Sequence, residues 1–390
     1  MTGRCCRRDC CRYWVFNLNG MSNIQDELYY KVALSLVPGI GGTLARNLIA
    51  YTGGAEQVFS EPLKALKKIP GIGELNALRL KDNGVFERAE EELKFIEKHK
   101  IEVRFYSDKN YPRRLKPCPD APIIIYSKGN MELDMQRIVS IVGTRNATDY
   151  GKAICEKLIQ GFAERRYPVL MVSGLAYGID IHAHKMALKY NIPTVGVVGH
   201  GLDKMYPSLH ADTARKMIQN GGLVSDFPSK TKIDPSNFVR RNRIIAGLAD
   251  ATIVVESAEK GGALITAEIA SSYNRDVFAF PGRVDDIYSK GCNRLIRLNG
   301  ANLIQNIDDL EYFMGWETTD RKKAVQPALF VELSTDEEKI AELLRKEGEM
   351  FIDQISAELQ MPGSRVSALL LNLEFKNVLA ALPGKMYKLK

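Results

Sequence analysis

The spacing of apolar positions changes character along the chain, and the changes mark its organisation. Residues 22–100 read as helical, interrupted at "VPGIGGTLARNLI" and "IPGIGELNALRL". Pro38 and Pro70 head two copies of the same apolar-Pro-Gly-Ile-Gly turn, 32 residues apart (70 minus 38). Residues 101–316 alternate short Val/Ile-rich runs with helical spacing. The runs are "EVRFY", "PIIIYS", "RIVSIVG", "PVLMVSG", "TVGVVG", "LVSDF", "ATIVVES" and "DVFAF". From Ile138 onward most are separated by helix-length segments, which predicts an α/β fold with a doubly wound parallel sheet. A further short buried strand is expected at "GANLI". In such sheets ligands bind beyond the carboxyl ends of the strands. Glycines stand at several of those ends: Gly143, Gly174, Gly199 with Gly201, and Gly282. Residues 317–334 lack periodicity and read as a linker.

Residues 335–390 give a helix, "FIDQISAELQ", "SRVSALLLNLEFKN" and two strands around Pro383-Gly384. Three helices and a β-wing describe a winged helix. Its eight basic and nine acidic residues, with only Arg365 and Lys376 as cations on the recognition helix, favour a protein-contacting module over a reader of DNA sequence. The paired Pro-Gly-Ile-Gly turns resemble helix-hairpin-helix motifs. They either grip DNA phosphates or only pack a small helical domain; Arg46 favours the first reading and Glu74 opposes it.

Composition adds little until the first 20 residues are set apart. With 45% hydrophobic and 26% charged residues the chain is an ordinary globular protein, and no long uncharged apolar stretch predicts a membrane span. The net charge of +7 fits an anionic partner. Four Arg and one Asp in residues 1–20 contribute +3 of it, so about +4 remains from Met21 onward. Residues 1–21 are expected to be a non-native or disordered extension, with Met21 as the start. Its Cys-Cys-x3-Cys-Cys cluster has no matching Cys/His pair, so no metal is expected. The remaining Cys118, Cys155 and Cys292 are scattered, which points to a reducing cytoplasm.

Four stretches fall at strand ends or helix starts. Gly143-Thr144-Arg145 offers an arginine at a strand end, suited to bidentate phosphate contact. Ser173, Gly174 and Gly178 form a turn into a helix that carries Asp180, a residue placed to cap it or hold loop N–H groups. His182 and His184, two apart on that helix, point in different directions and do not form a metal pair. Phe238, Arg240, Arg241, Asn242 and Arg243 open a further helix; arginines beside an aromatic suit single-stranded nucleic acid. Lys260 and Gly262 belong to a glycine-pair turn. No nucleophile–base pair, metal spacing or Walker lysine stands out, so neither catalysis nor a cofactor is expected.

Taken together, these stretches resemble the DNA-processing protein A family, also called Smf or DprA. The family pattern is matched at Gly143 to Arg145, Ser173 to His184, Phe238 to Gly247, Gly261 to Ala267 and Gly291 to Ala301. Val239 and Arg240 depart from it, as does Gly261, where a serine is usual. The resemblance implies an extended Rossmann-like doubly wound sheet, an N-terminal helical domain of helix-hairpin-helix or SAM-like type, and a C-terminal winged helix. It implies single-stranded DNA binding without cleavage in natural transformation and recombination, dimerisation through the Rossmann-like domain, protection of incoming strands, and loading of RecA recombinase. Two rivals stay open. "KGGALITAE", ending at Glu268, echoes the phosphoribohydrolases of the cytokinin-activating type, and the winged helix allows a double-stranded DNA regulator.

Overall fold

The computed structural model describes residues 23–316, 333–376, 378–382 and 386–389. The cysteine-rich extension lies outside them, as does most of the expected linker. The chain divides into two compact units between Trp316 and Glu317. No described helix is long and apolar enough to cross a membrane.

The first unit begins with α1 (Asn23–Leu36), α2 (Gly42–Thr52), α3 (Ala55–Ser60), α4 (Leu63–Leu66), α5 (Glu74–Arg79) and α6 (Asn83–His99). The two glycine turns pack on each other. A β-carbon on Gly39, at φ +81°, would strike the Arg79 guanidinium of the second hairpin, and one on Gly71, at φ +83°, would lie 2.8 Å from Leu44 of the first. Arg79 also donates to the Pro38 carbonyl (3.2 Å). Arg46, the residue that favoured DNA contact, points instead to the Pro119 and Ala121 carbonyls and lies over the Tyr106 ring. Glu74 pairs with Lys67. The helical core runs on from Leu34, Leu48 and Leu66 into Phe105, Ile124 and Tyr126 of the sheet, so the described part of the helical segment shares a core with its first two strands.

All eight apolar runs are strands: β1 (Glu102–Phe105), β2 (Ile124–Asn130), β3 (Arg137–Val142), β4 (Val169–Ser173), β5 (Thr194–Val197), β6 (Gly221–Ser225), β7 (Ala251–Val254) and β8 (Asp276–Ala279). A ninth, β9 (Asn302–Leu303), is exposed rather than buried because it forms the edge. The order is β1-β2-β6-β5-β4-β3-β7-β8-β9. Pairing is parallel from β6 to β9, but β1 and β2 join antiparallel, so the sheet is mixed. The cause lies in the connections. No helix lies between β1 and β2, and residues 131–136 are too short a link for a parallel crossover before β3.

Helices cover both faces, α9 (Ala211–Met217) and α12 (Lys290–Arg297) among them. Ile244, Ile245 and Leu248 of α10 (Pro235–Leu248), with Ala263 and Ala267 of α11 (Gly262–Ser272), cover one face. Leu158 and Phe162 of α7 (Asp149–Glu164), Ala183 of α8 (Ile179–Lys189) and Leu310 of α13 (Ile307–Met314) cover the other. Strands buried on both sides must be apolar throughout, which is why they were legible as continuous runs. Cys118, Cys155 and Cys292 are free and buried.

In the second unit, α14 (Thr335–Glu347), α15 (Ile352–Glu358) and α16 (Gly363–Phe375) surround a core of Ile340, Leu344, Ile355, Val366 and Leu370. Ser334 belongs to α14 as its N-cap, in a capping box with Glu337. Besides the two wing strands β11 (Leu379–Leu382) and β12 (Met386–Leu389), a short β10 (Met350–Phe351) pairs with β12. The Pro383-Gly384 turn lies outside the described residues.

One buried cluster ties α6 to the segment that leads into α10. The Glu92 carboxylate accepts from the Ser229 N–H (2.9 Å) and hydroxyl, and Arg88 donates to both Glu92 (2.7 Å) and the Ser229 carbonyl (2.6 Å). Glu92→Ala leaves the Ser229 N–H and hydroxyl without their acceptor and Arg88 without its carboxylate partner, and should lower stability by about 2–3 kcal/mol, read as a lower urea midpoint. An unchanged midpoint would show that the helical segment is not anchored there.

Candidate nucleic-acid interface

β3 and β7 are neighbours at the centre of the sheet, and their crossovers leave in opposite directions. That arrangement opens a crevice at the carboxyl ends, where open α/β sheets take their ligands. A cleft of about 410 Å³ occupies it, lined in part by Gly143, Thr144, Arg145, Phe238, Asn242 and Gly262. Lys260 reaches it from the glycine-pair turn after β7, and Tyr288 closes one side by accepting from the Asn146 side chain (3.2 Å).

The loops are fixed from below by a buried cation. Arg241 is 4% exposed, and its guanidinium donates to the carbonyls of Gly174 and Val197, at the ends of β4 and β5. Opposite it, the buried Asp180 carboxylate accepts from the Gly174 N–H (3.1 Å) and is held by the N–H groups of Ala176 and Gly143. Burial pushes the Asp180 carboxyl up, against the pull of Arg241 and those N–H groups. Burial likewise lowers Arg241 to about 10, which leaves it cationic at neutral pH. Gly174 lies between the two charges: a β-carbon there would stand 2.5 Å from Asp180 and 2.8 Å from the guanidinium.

This geometry redistributes the expected site residues. Arg241 borders the cleft but is buried, with its guanidinium engaged by two carbonyls, and the sequence carried the signal of that burial. Ile244, Ile245 and Leu248 follow it at i+3, i+4 and i+7, so helical periodicity places Arg241 on the buried face. Arg243 is half-buried, paired with Asp226 and donating to the Asp120 carbonyl. Ser173 is fully buried and donates to the Ile141 carbonyl (2.6 Å), so its hydroxyl faces the sheet. Asn242 bridges α10 to the Gly262 carbonyl (3.4 Å). Three cations remain exposed: Arg145, Lys260 and Arg240, whose guanidinium lies 5.1 Å from the Phe227 ring centroid. Among the described residues Arg145 makes no hydrogen bond or ion pair. Phe238 is half-buried, with its ring 5.6 Å from that of Tyr206.

The glycines divide in the same way. Gly178, at φ +78°, abuts the Thr144 and Arg145 carbonyls, and a β-carbon on Gly143 would meet Ile179 at 2.5 Å. The Thr144 carbonyl accepts the Ile179 N–H (3.1 Å). The start of α8 is therefore engaged by the Arg145 loop and is not open to phosphate. Gly261 and Gly262 have no atom closer than 3.4 Å to such a position, so their backbone is open to the cleft. The Arg145 loop is held from its other side by Glu256, whose carboxylate accepts from the Thr148 N–H (3.0 Å) and hydroxyl at the N-cap of α7.

His182 faces the Lys152 carbonyl (3.1 Å), while the buried His184 contacts the Thr194 hydroxyl (2.7 Å), with burial pushing its imidazole down to about 3. Tyr288 borders the cleft, and Tyr177 and Tyr206 line a smaller cavity beside it, all from loops with no periodic pattern.

A family model described as DNA recombination-mediator protein A matches residues 102–315, and one for the DprA winged helix domain matches residues 324–385. Protein Smf of Synechocystis is 34% identical over 74% of this chain and 73% of its own. The structure of DNA processing protein A from Streptococcus pneumoniae superposes with TM-score 0.60 at 31% identity, over 73% of this chain and 95% of that one. A Helicobacter pylori DNA processing protein A structure, determined for its single-stranded DNA binding mode, gives TM-score 0.50 at 28% identity, over 56% and 96%. The extended Rossmann-like sheet, the helical N-terminal segment and the winged helix agree with these likenesses, and the chain belongs to the DprA/Smf family of DNA-processing proteins.

Proposed function

We propose that the cleft binds the backbone of single-stranded DNA without cleaving it, and that the protein thereby protects incoming strands and helps to load RecA in natural transformation. The observation that carries this reading is the exposed Arg145 guanidinium beside the open Gly261-Gly262 backbone at the switch point of the sheet. Lys260 and Arg240 extend the cationic surface. The Helicobacter pylori relative, named for its single-stranded DNA binding mode, supports the choice of ligand.

Binding without turnover is supported by where the reactive groups point. Asp180 is the carboxylate lining the cleft, and it is engaged by loop N–H groups and Arg241. The Ser257 and Thr266 hydroxyls donate to the Ala258 and Gly262 carbonyls. Glu268, on which the phosphoribohydrolase reading depends, is exposed on α11 and is not among the residues lining the cleft. In the winged helix, Arg365 pairs with Asp336 and Lys376 with Glu337 (2.7 Å), which favours a protein-contacting role over a double-stranded DNA regulator. The edge strand β9, with Leu303 exposed, and the exposed Tyr312 and Phe313 on α13 suit an interface with a second copy.

Gel shifts with single- and double-stranded oligonucleotides across a salt series test the central reading; nuclease protection and RecA filament growth on the same strands extend it. Arg145→Ala should weaken binding to all sequences alike and flatten the log–log salt slope by about 0.7. Arg241→Ala should instead act through stability, lowering it by roughly 3 kcal/mol because Asp180 loses its compensating charge. A normally folded Arg145→Ala protein with full affinity and full slope would place the strand elsewhere.

Truncation after Trp316 should leave single-strand affinity within a few-fold, because residues 335–390 carry one more acid than base. A hundredfold loss, about 2.7 kcal/mol, would show that the winged helix carries strand contacts. Tyr312→Glu should shift the protein toward monomer in sedimentation equilibrium, and an unchanged dimer would move the interface away from α13.

A further inference from the structure

A separate cavity of about 450 Å³ lies between the first helical hairpin and α10. One wall is the turn from Gly41 to Thr43 at the start of α2, and the other carries Arg240 and Arg243, with Asp120 beside them. Val239 borders both this space and the Arg145 cleft, so the two meet at that side chain, which is 48% exposed. A groove therefore runs from the end of the sheet onto the helical segment.

The charges around it are unequally free. Arg243 is held by Asp226 and the Asp120 carbonyl. Arg46, which reaches the Thr43 hydroxyl at 3.5 Å, is held by the Pro119 and Ala121 carbonyls. The Asp120 carboxylate accepts from the Tyr273 hydroxyl. Arg46, Arg240 and Arg243 against Asp120 and Asp226 leave one positive charge (three minus two), and Arg240 is where it is free. Its guanidinium is exposed over the Phe227 ring and, among the described residues, makes no hydrogen bond or ion pair. Across the cavity Gly41 and Thr43 are exposed, and nothing stands within 4 Å of a β-carbon position on Gly41. Arg240 supplies the charge, and the Gly41 turn supplies the room for a backbone to pass.

We propose that a strand bound in the cleft leaves it over Val239 and crosses this second cavity, with a phosphate on Arg240 and its backbone passing the open Gly41 turn. The inference rests on the single-stranded DNA reading of the cleft and gives the strand a direction, from Arg145 toward the first hairpin. The helical segment then meets DNA as one wall of a groove, while its paired glycine turns stay packed on each other. A phosphate contact carries no sequence information, so the groove lengthens the site without selecting a sequence. Each further phosphate neutralised on a single strand adds about 0.7 to the log–log salt slope, so strand length and salt dependence must rise together.

The test uses the full chain with oligothymidines of about 4 and about 16 nucleotides, the range over which single-strand sites extend. Wild-type protein should bind the long strand more tightly and with the steeper salt slope. Arg240→Ala should weaken the long strand by about threefold to tenfold, flatten its slope by about 0.7, and weaken the short strand less. Gly41 is the N-cap of α2, in extended backbone (φ −82°, ψ 178°) and without a side-chain cap, so Asp or Asn fits there and caps the helix. Gly41→Asp should therefore keep or raise the melting temperature while its carboxylate, facing the strand, weakens the long oligothymidine. Gly41→Asn caps without charge and should retain wild-type affinity. Arg145→Ala should weaken both lengths together. If Arg240→Ala and Gly41→Asp bind the long strand like wild type, or weaken both lengths equally, the second groove is overturned while the Arg145 cleft stands. Equal losses in Gly41→Asn and Gly41→Asp would overturn the phosphate contact in favour of an effect of shape. Wild-type protein that binds neither length would overturn the cleft reading itself.

Discussion

The buried pairing of Arg241 with Asp180 across Gly174 sets the geometry of the whole interface. One guanidinium joins α10 to the ends of β4 and β5, while the carboxylate gathers the N–H groups of Gly143, Gly174 and Ala176. Loops after three different strands, the first turn of α8 and the second turn of α10 are thereby held in one arrangement. A buried ion pair is not by itself a source of stability, because desolvation offsets its attraction. Here its hydrogen bonds go to loop backbone that would otherwise have no partner. Its contribution is positional: it fixes where Arg145 and Phe238 stand.

The same constraint explains how the cationic residues divide. An arginine can bind phosphate or hold a loop, and its neighbours in sequence help to decide which. Arg240 and Arg241 are adjacent, yet helical geometry turns one outward and the other beneath the sheet edge. Arg243 is engaged by Asp226 and the Asp120 carbonyl. Arg46 is turned to the loop at residues 119–121 in the same manner. A basic cluster in sequence therefore overstates the charge that a ligand can meet.

Much of the architecture was legible because sheet strands covered on both faces must be apolar throughout. The runs from "RIVSIVG" to "ATIVVES" became strands on that account, while "EVRFY" forms an edge strand with Glu102 exposed. The two antiparallel strands at one end were less legible, since direction depends on the connection rather than on the strand. Gly143, Arg145 and Gly262 could be placed at strand ends from the sequence, and the structure sets all three around the cleft. Charge alone pointed Arg241 at a ligand, although its spacing to Ile244, Ile245 and Leu248 marked it as buried. Ser173 was misassigned because a hydroxyl at a strand end can face the sheet as readily as the ligand. Tyr177 and Tyr206 carried no signal, since their position depends on how separate loops come together.

The paired glycine hairpins show why a motif and its use must be argued separately. Left-handed glycines can bring backbone N–H groups close to a phosphate, or bring two turns close to each other. Gly39 against Arg79 and Gly71 against Leu44 do the second. The helical segment in turn shares its core with β1 and β2 and holds Ser229 through Glu92. Because Ser229 lies a few residues before α10, the helical segment acts on the cleft indirectly, through Glu92 of α6, by anchoring the segment that leads to Phe238 and Arg240. A rigid floor of this kind leaves the conformational cost of association mainly to the flexible ligand, and preorganisation of the protein side lowers that cost. The hairpins and the buried Arg241 thus serve one end: a fixed frame from which a small number of exposed side chains project.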